Sequence, residues 1–192
     1  MAREQQALPL VVDLDGTLIA TDLLWESIFS AIAARPWSAA LLPLWLVRGK
    51  AGFKARLAKE ASLPVEDLPY RREVLDLIGR RRAEGARTIL ATATDAVLAR
   101  QVAAHLGLFD DVLASDGRRN FRGGEKVKAI AELLGNAPYE YVGDSMADVP
   151  LIDAADRVWL VDPPKAVRRR AEAAGKLAGV LHAGNGRLAP LV

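Results

Sequence analysis

The sequence predicts an α/β fold, a parallel sheet with helices on both faces and an inserted α-helical cap. Three observations predict it. A short apolar run ending in acid lies near the N-terminus, at residues 8–14 (LPLVVDL). From residue 87 onward, strand-like and helix-like stretches alternate regularly. Between them, residues 22–85 show helical spacing and no convincing strand.

Each element has its own signal. Residues 8–14 read as a strand buried on both faces, since apolar residues run without alternation. Asp22 caps a helix carrying Leu24, Trp25, Ile28, Phe29 and Ile32 at helical spacing, and Pro36 interrupts it. Residues 37–48 form a second apolar helical stretch with Pro43 as a kink, residues 52–61 a third, and residues 71–84 a fourth closed by Gly85. The alternation then begins. Strands are expected at 87–93, 111–115, 139–142 and 158–161, and helices at 95–106, 125–134, 147–155 and 165–174. The first strand must join the later sheet to be buried on both sides. The chain therefore divides into a core (residues 1–20 and 86–176), a cap (residues 21–85) and a Gly-rich tail or linker (residues 177–192). The cap would sit over the carboxyl ends of the strands, where open α/β sheets bind ligands.

Composition narrows the function classes. At 192 residues, 51% hydrophobic and 26% charged, the chain can bury a core. A net charge of +2, with basic residues scattered, argues against a nucleic-acid partner. There are no cysteines, which excludes thiolate metal sites and cysteine nucleophiles. With two distant histidines, a metal site needs oxygen ligands, which suit Mg²⁺ or a similarly hard ion. Residues 1–7 are too short for a secretory signal and no apolar run is long enough to span a bilayer, so a cytoplasmic location is expected.

Four groups of residues carry the chemistry. Asp13 and Asp15, within DLDGT at the first strand's end, place two carboxylates two residues apart, on one side of an extended chain; Gly16 and Thr17 then turn it. Gly143, Asp144 and Asp148, within GDSMAD, follow another strand. Thr92 ends the strand at 87–93, where its hydroxyl and the Ala93 region of backbone, just before a helix, suit phosphate oxygens. Lys126 lies near a helix start; Lys128 and Arg122 are rivals for its role, and Gly123 and Gly124 favour Lys126 by freeing the backbone for close approach to a ligand.

All four groups fall at strand carboxyl ends or helix starts, which converge on one crevice in a parallel sheet. The chemistry suits phosphoryl transfer. A phosphate ester repels a carboxylate nucleophile, and a divalent cation and a lysine offset that repulsion. One carboxylate can attack phosphorus, while like-charge repulsion favours a proton-shuttling role for its neighbour. The bland alternatives are turn-capping acids, a nucleotide-ribose contact or the acid pair of a glycosyltransferase. No G-x-G-x-x-G follows the first strand and no G-x-x-x-x-G-K-[ST] is present, which argues against a dinucleotide or P-loop enzyme.

These motifs resemble the haloacid dehalogenase (HAD) superfamily of phosphatases, over nearly the whole chain. The resemblance implies a HAD-like Rossmannoid sheet with a C1-type cap. It implies Asp13 as nucleophile, Asp15 as general acid/base and Thr92 as phosphate ligand. It also implies Mg²⁺ held by the Asp13 side chain, the Asp15 carbonyl and Asp144, with Asp148 supporting the metal shell or orienting Lys126. More narrowly, LPLVVDLDGTL, TDLLWES, LPLWLVRGKAGFKARLA, LPYRREVL, AAHLGLFDDVLASDG and YVGDSMAD resemble the phosphatase-like domain that precedes UbiA-type prenyltransferases.

The activity expected is hydrolysis of a small-molecule phosphate monoester: phosphoserine-like, a sugar phosphate or an isoprenoid phosphate. Phosphotransfer to an alcohol, as in a mutase, and a non-catalytic module beside a membrane prenyltransferase are the alternatives. The apolar stretch 37–47, flanked by Arg35, Arg48 and Lys50, reads as a packed cap helix, a lid over a lipid-like substrate or a peripheral membrane contact. Tyr70, Arg71 and Arg72 instead offer contacts for a polar or anionic substrate.

Overall fold

The computed structural model describes residues 7–23, 26, 32, 64–116 and 121–182. The stretch 37–47 and the helix expected at 52–61 lie outside the described residues. Six strands form one fully parallel sheet: β1 (Leu10–Val12), β2 (Thr88–Asp95), β3 (Asp111–Ser115), β4 (Glu140–Gly143), β5 (Arg157–Val161) and β6 (Leu177–Leu181), in the order β3-β2-β1-β4-β5-β6. The intervening helices are α1 (Arg72–Ala83), α2 (Ala96–Leu106), α3 (Gly124–Leu134), α4 (Val149–Ala154) and α5 (Lys165–Ala173). Short 3₁₀ turns occupy Val65–Asp67 and Met146–Asp148.

Strand β1 sits between β2 and β4, with Val11 paired to Ile89 on one side and Tyr141 on the other. The chain moves outward through β2 and β3, then crosses back to β4 and moves outward the other way. That reversal leaves a crevice at the carboxyl ends of β1 and β4, the position where such sheets bind ligands.

Alternation along each strand splits the core between the two faces. Leu10, Val12 and Leu90 join Val74, Leu77, Ile78 and Val102 in one cluster. Val11, Ile89 and Ala91 join Ile130, Tyr141, Leu151 and Val167 in the other. Burying each large aliphatic side chain contributes about 2 kcal/mol, which anchors β1 from both sides. At the amino end of the sheet the fully buried Glu140 lies 3.0 Å from the guanidinium nitrogens of Arg81 and Arg157 and accepts a 3.0 Å hydrogen bond from the Trp159 indole. A buried carboxylate needs such partners. These tie β4, β5 and α1 together away from the crevice.

Three sequence expectations are corrected. Residues 177–181 are not tail or linker but β6, paired in parallel with β5. Gly179 hides that strand in the sequence, because it breaks the apolar pattern; the missing side chain leaves room for the Trp159 indole. The helix at residues 72–83, expected in the cap, packs its Val74, Leu77 and Ile78 against the sheet and shares the core cluster of Leu10. Strand β2 continues past Ala93 to Asp95, after an irregularity in its pairing with β3. Asp95 then caps α2, its side chain accepting from the Val97 amide at 2.9 Å.

The insert leaves and rejoins the core through paired backbone. Ala20 donates to the Pro69 carbonyl at 2.9 Å and Arg71 to the Leu18 carbonyl at 2.9 Å, while Ile19 bridges Tyr70. Leu23, Glu26 and Ile32 are helical, and the Glu26 N–H donates to the Asp22 carbonyl at 3.2 Å; the rest of the helix expected after Asp22 lies outside the described residues. Among the described residues no helix is long and apolar enough to cross a membrane.

Candidate active site

Asp13 follows β1 directly, and its amide donates to the Val142 carbonyl at 3.0 Å. The backbone of the nucleophile candidate is thereby tied to β4, the strand that delivers Asp144. Lys126, in the first turn of α3, crosses the crevice. Its Nζ donates to Asp13 Oδ1 at 2.6 Å and lies 3.9 Å from Asp148 Oδ1. Both partners are buried, Asp13 at 8% exposure and Lys126 at 4%. Lys128 is exposed and paired with Glu125, and Arg122 is exposed. Of the three basic rivals, only Lys126 reaches the carboxylate cluster.

Carboxylate oxygens of Asp13, Asp144 and Asp148 lie within 4.8 Å of one another. Their roles differ by their partners. Asp148 Oδ1 accepts from the Tyr141 hydroxyl at 2.7 Å; Asp148 Oδ2 accepts from the Ser145 hydroxyl at 3.0 Å, the Ser145 amide at 3.1 Å and the Asp144 amide at 3.3 Å. Protein donors therefore surround this carboxylate, which holds the GDSMAD turn and backs Lys126. Asp144 accepts one side-chain hydrogen bond, from Thr17 at 3.1 Å. Gly143 closes β4 between the Tyr141 ring and Asp148, where a Cβ would come within 2.6 Å of Tyr141 Cε1.

Gly16 is required twice over. Its φ is +78°, in the left-handed region, and a Cβ there would stand 2.5 Å from Asp144 Oδ2. Among the described residues, Asp15, its neighbour, accepts from Leu23, Thr94 and Thr92. Oδ1 accepts from the Leu23 amide at 2.8 Å, and Oδ2 accepts from the Thr94 hydroxyl at 2.7 Å and the Thr92 hydroxyl at 3.4 Å.

Thr92 is fully buried in β2 beside Asp15, and its hydroxyl accepts the Thr94 amide at 2.9 Å. Helix α2 begins at Ala96, beyond Ala93, so the backbone beside Thr92 is extended strand and not a helix start. The Ala93 carbonyl accepts from the Ser115 hydroxyl at 2.9 Å. Contacts link the side chains of Thr92 to Asp15, of Lys126 to Asp13 and Asp148, and of Thr17 to Asp144, and bring Asp13, Asp144 and Asp148 together, whereas Ala93 turns its carbonyl to Ser115. Sequence reasoning gave no role to Thr94 or Tyr141, and placed Ser145 in the GDSMAD motif without a role of its own. Thr94 was findable, since residues two apart on a strand share a face.

Electrostatics reflect the crowding of acids. Burial pushes the Asp13 carboxyl up to about 7; the Lys126 cation opposes this, while Asp148 and Asp15 add to it. Burial, then the charge of Asp148, raises Asp144 to about 6, against the Thr17 hydrogen bond and the Arg71 charge. Burial alone would lower Lys126, but the charges of Asp13 and Asp148 outweigh it and hold the ammonium above its usual range. Burial first, and then Asp13 and Asp148, hold Tyr141 well above the usual phenol range, so it stays a neutral donor. Lys126 Nζ also lies 6.0 Å from the centre of the Tyr141 ring. The set pairs a buried nucleophile candidate with a fixed cation and leaves two carboxylates whose burial a second cation would relieve.

Residues 10–153 match the haloacid dehalogenase-like hydrolase family. The chain is 40% identical over 155 residues to the uncharacterized protein y4nM of Sinorhizobium fredii, covering 80% of this chain and 30% of that protein. It thus spans less than a third of that relative's length. A Bordetella pertussis Tohama I protein of unknown function superposes with a TM-score of 0.65 at 20% identity, over 90% of this chain and 97% of the other. A substrate-bound phosphoserine phosphatase superposes with a TM-score of 0.62 at 12% identity, over 95% of each chain. These likenesses show a shared fold. The family match runs from β1 into α4 and takes in all four groups of site residues, so the chain belongs to the haloacid dehalogenase-like hydrolases.

Proposed function

We propose that this protein is a Mg²⁺-dependent phosphomonoester hydrolase that works through a phosphoaspartate on Asp13. One observation carries the reading: Lys126 Nζ sits 2.6 Å from Asp13 Oδ1, with oxygens of Asp144 and Asp148 gathered beside it. A cation this close to a buried carboxylate suits a nucleophile that must meet an anionic phosphate.

The donor set fits a hard divalent ion. It is all oxygen, and burial raises the pKa of both Asp13 and Asp144, a cost that a bound cation offsets. Asp13, Asp144 and the Asp15 main-chain carbonyl would hold it. When bound, Mg²⁺ supplies charge neutralisation at the phosphate oxygens.

The protein's own groups divide the remaining work. Lys126 and the Thr92 hydroxyl bind phosphate oxygens. An Asp13 carboxylate oxygen attacks phosphorus as the ester P–O bond breaks. Asp15, aimed by Thr94 and the Leu23 amide, gives its proton to the departing alkoxide. Asp15 then takes a proton from water, whose oxygen attacks phosphorus. The Asp13–phosphate bond breaks, releasing inorganic phosphate and restoring Asp13. Asp148 and Tyr141 position Lys126.

Turnover of an aryl phosphate with Mg²⁺ tests this reading, together with mass spectrometry of acid-quenched protein for phosphate on Asp13. Asp13→Asn and EDTA should each abolish turnover. Full activity in Asp13→Asn would falsify the nucleophile assignment.

A further inference from the structure

We propose that Arg71 binds substrate and selects phosphate monoesters that carry a second anionic group, such as a carboxylate; this deepens the phosphatase reading and rests on it.

Arg71 stands where the chain returns from the insert, in extended conformation immediately before α1. Its backbone is tied to the catalytic loop: the Arg71 amide donates to the Leu18 carbonyl at 2.9 Å, and the Leu18 amide donates to the Asp13 carbonyl at 3.3 Å. The side chain is 15% exposed and folded inward, with Nη1 3.1 Å from Asp162 Oδ2. Asp162 follows β5 at the carboxyl end of the sheet, so the pair spans the same rim as the crevice. The positive charge is felt at Asp144.

Two features remain unexplained by a purely structural ion pair. Arg71 Nε is buried and has no hydrogen-bond acceptor. A buried N–H is ordinarily satisfied, and this one is a donor without its acceptor. Asp162, which holds the other side of the guanidinium, has a φ of +38°, in the left-handed region that non-glycine residues avoid. Its backbone is kept there by an amide hydrogen bond to the Leu181 carbonyl at 3.1 Å, from β6. Strain of this kind persists where surrounding structure aims a functional side chain. Here it aims a carboxylate at Arg71.

Charge balance points the same way. The crevice gathers Asp13, Asp15, Asp144 and Asp148, and Lys126 is committed to Asp13. A substrate bearing an anion beyond its phosphate needs a further cation. With Nη1 held by Asp162, the guanidinium edge containing Nε stays free to fork onto a carboxylate or a second phosphate.

Calorimetry on the full chain with Mg²⁺ tests this, using phosphonoacetate, which joins a carboxylate to a non-hydrolysable phosphonate, against methylphosphonate. The wild type should bind phosphonoacetate about tenfold more tightly, the increment of one charge-assisted fork. Arg71→Met should erase that preference, while methylphosphonate affinity falls by less than about threefold. Asp162→Asn, which loosens the aim but keeps the cation, should reduce the preference in part. Equal wild-type affinity for both probes, or an equal loss of both in Arg71→Met, overturns the proposal. If Arg71→Met fails to fold, Arg71→Lys replaces it; a preference fully retained by the unforked ammonium counts against the forked contact. The readout is binding, so failure to turn over any phosphate ester would sink the hydrolase reading and still leave the Arg71 preference measurable.

Discussion

Lys126 Nζ meets Asp13 Oδ1 at 2.6 Å across a separation of 113 positions in the chain, and both groups are buried. The contact exists because α3 returns from β3 toward β4 and starts beside β1 at the sheet's carboxyl end. In the proposed mechanism it joins the nucleophile to a cation; in physical terms it keeps an otherwise isolated buried charge paired.

Removing the cation while keeping the volume should expose that dependence. Lys126→Met is expected to lower kcat roughly a hundredfold or more, the scale seen when a fixed charge facing a developing anion is lost. Lys128→Met changes an exposed residue paired with Glu125 and should alter kcat little. Steady-state kinetics on both variants checks the choice among the basic residues. Comparable losses would mean that the assignment to Lys126 is wrong.

The raised carboxyls predict a pH-dependent metal effect. Asp13 titrates at about 7 when folded, against 3.8 for the ordinary group, so the folded state holds the proton more tightly. The sign follows: without metal, this group's contribution to stability falls as pH rises from 3.8 to about 7. Asp144, raised to about 6, acts in the same direction over a narrower window. Mg²⁺ needs both carboxylates ionised. The rise in Tm on adding Mg²⁺ should therefore be small near about pH 5 and grow toward about pH 8. Differential scanning calorimetry with Mg²⁺ or EDTA across that range checks it; a Mg²⁺ effect that does not vary with pH contradicts the ligand assignment.

Much of this site was legible in the sequence because its motifs follow strands. Once residues 8–14, 87–93 and 139–142 are read as parallel strands, Asp13, Thr92 and Asp144 share one edge of the sheet. What stayed hidden depends on register and packing. Thr94 was obscured because the strand was expected to end at Ala93, whereas an irregularity against β3 carries it to Asp95. Tyr141 reads as an ordinary apolar strand residue, and only the turn of Met146–Asp148 brings Asp148 onto its hydroxyl. The helix at 72–83 was recognisable from its spacing, but spacing cannot say whether its apolar face covers a cap or the sheet. Strand β6 failed for a local reason, the glycine beneath Trp159.

Thr94 supplies a prediction that sequence reading alone did not reach. Its hydroxyl donates to Asp15 at 2.7 Å, against 3.4 Å for the Thr92 hydroxyl. It acts as a positioning residue, through Asp15. Thr94→Val keeps the shape and removes the donor, and should reduce kcat about tenfold with KM little changed, the loss of one charge-assisted hydrogen bond. Thr94→Ser should restore most of the rate. A merely structural role would give neither the rescue nor a selective effect on kcat.

Gly16→Ala tests whether the turn after Asp13 and Asp15 is built to fit Asp144. The new methyl group faces two penalties. The +78° φ is unfavourable for any side chain, and the Cβ would lie 2.5 Å from Asp144 Oδ2. The backbone term should cost about 1 kcal/mol or slightly more. The contact term falls on Asp144, which must swing away from the Asp13 oxygens it shares space with. Thermal melting should therefore show a modest loss of stability, while Mg²⁺ affinity by calorimetry falls by about tenfold or more, since a ligand displaced by about an ångström no longer meets the ion at bonding distance. A large loss of stability with unchanged Mg²⁺ affinity would place the strain in the turn alone and separate Gly16 from the metal site.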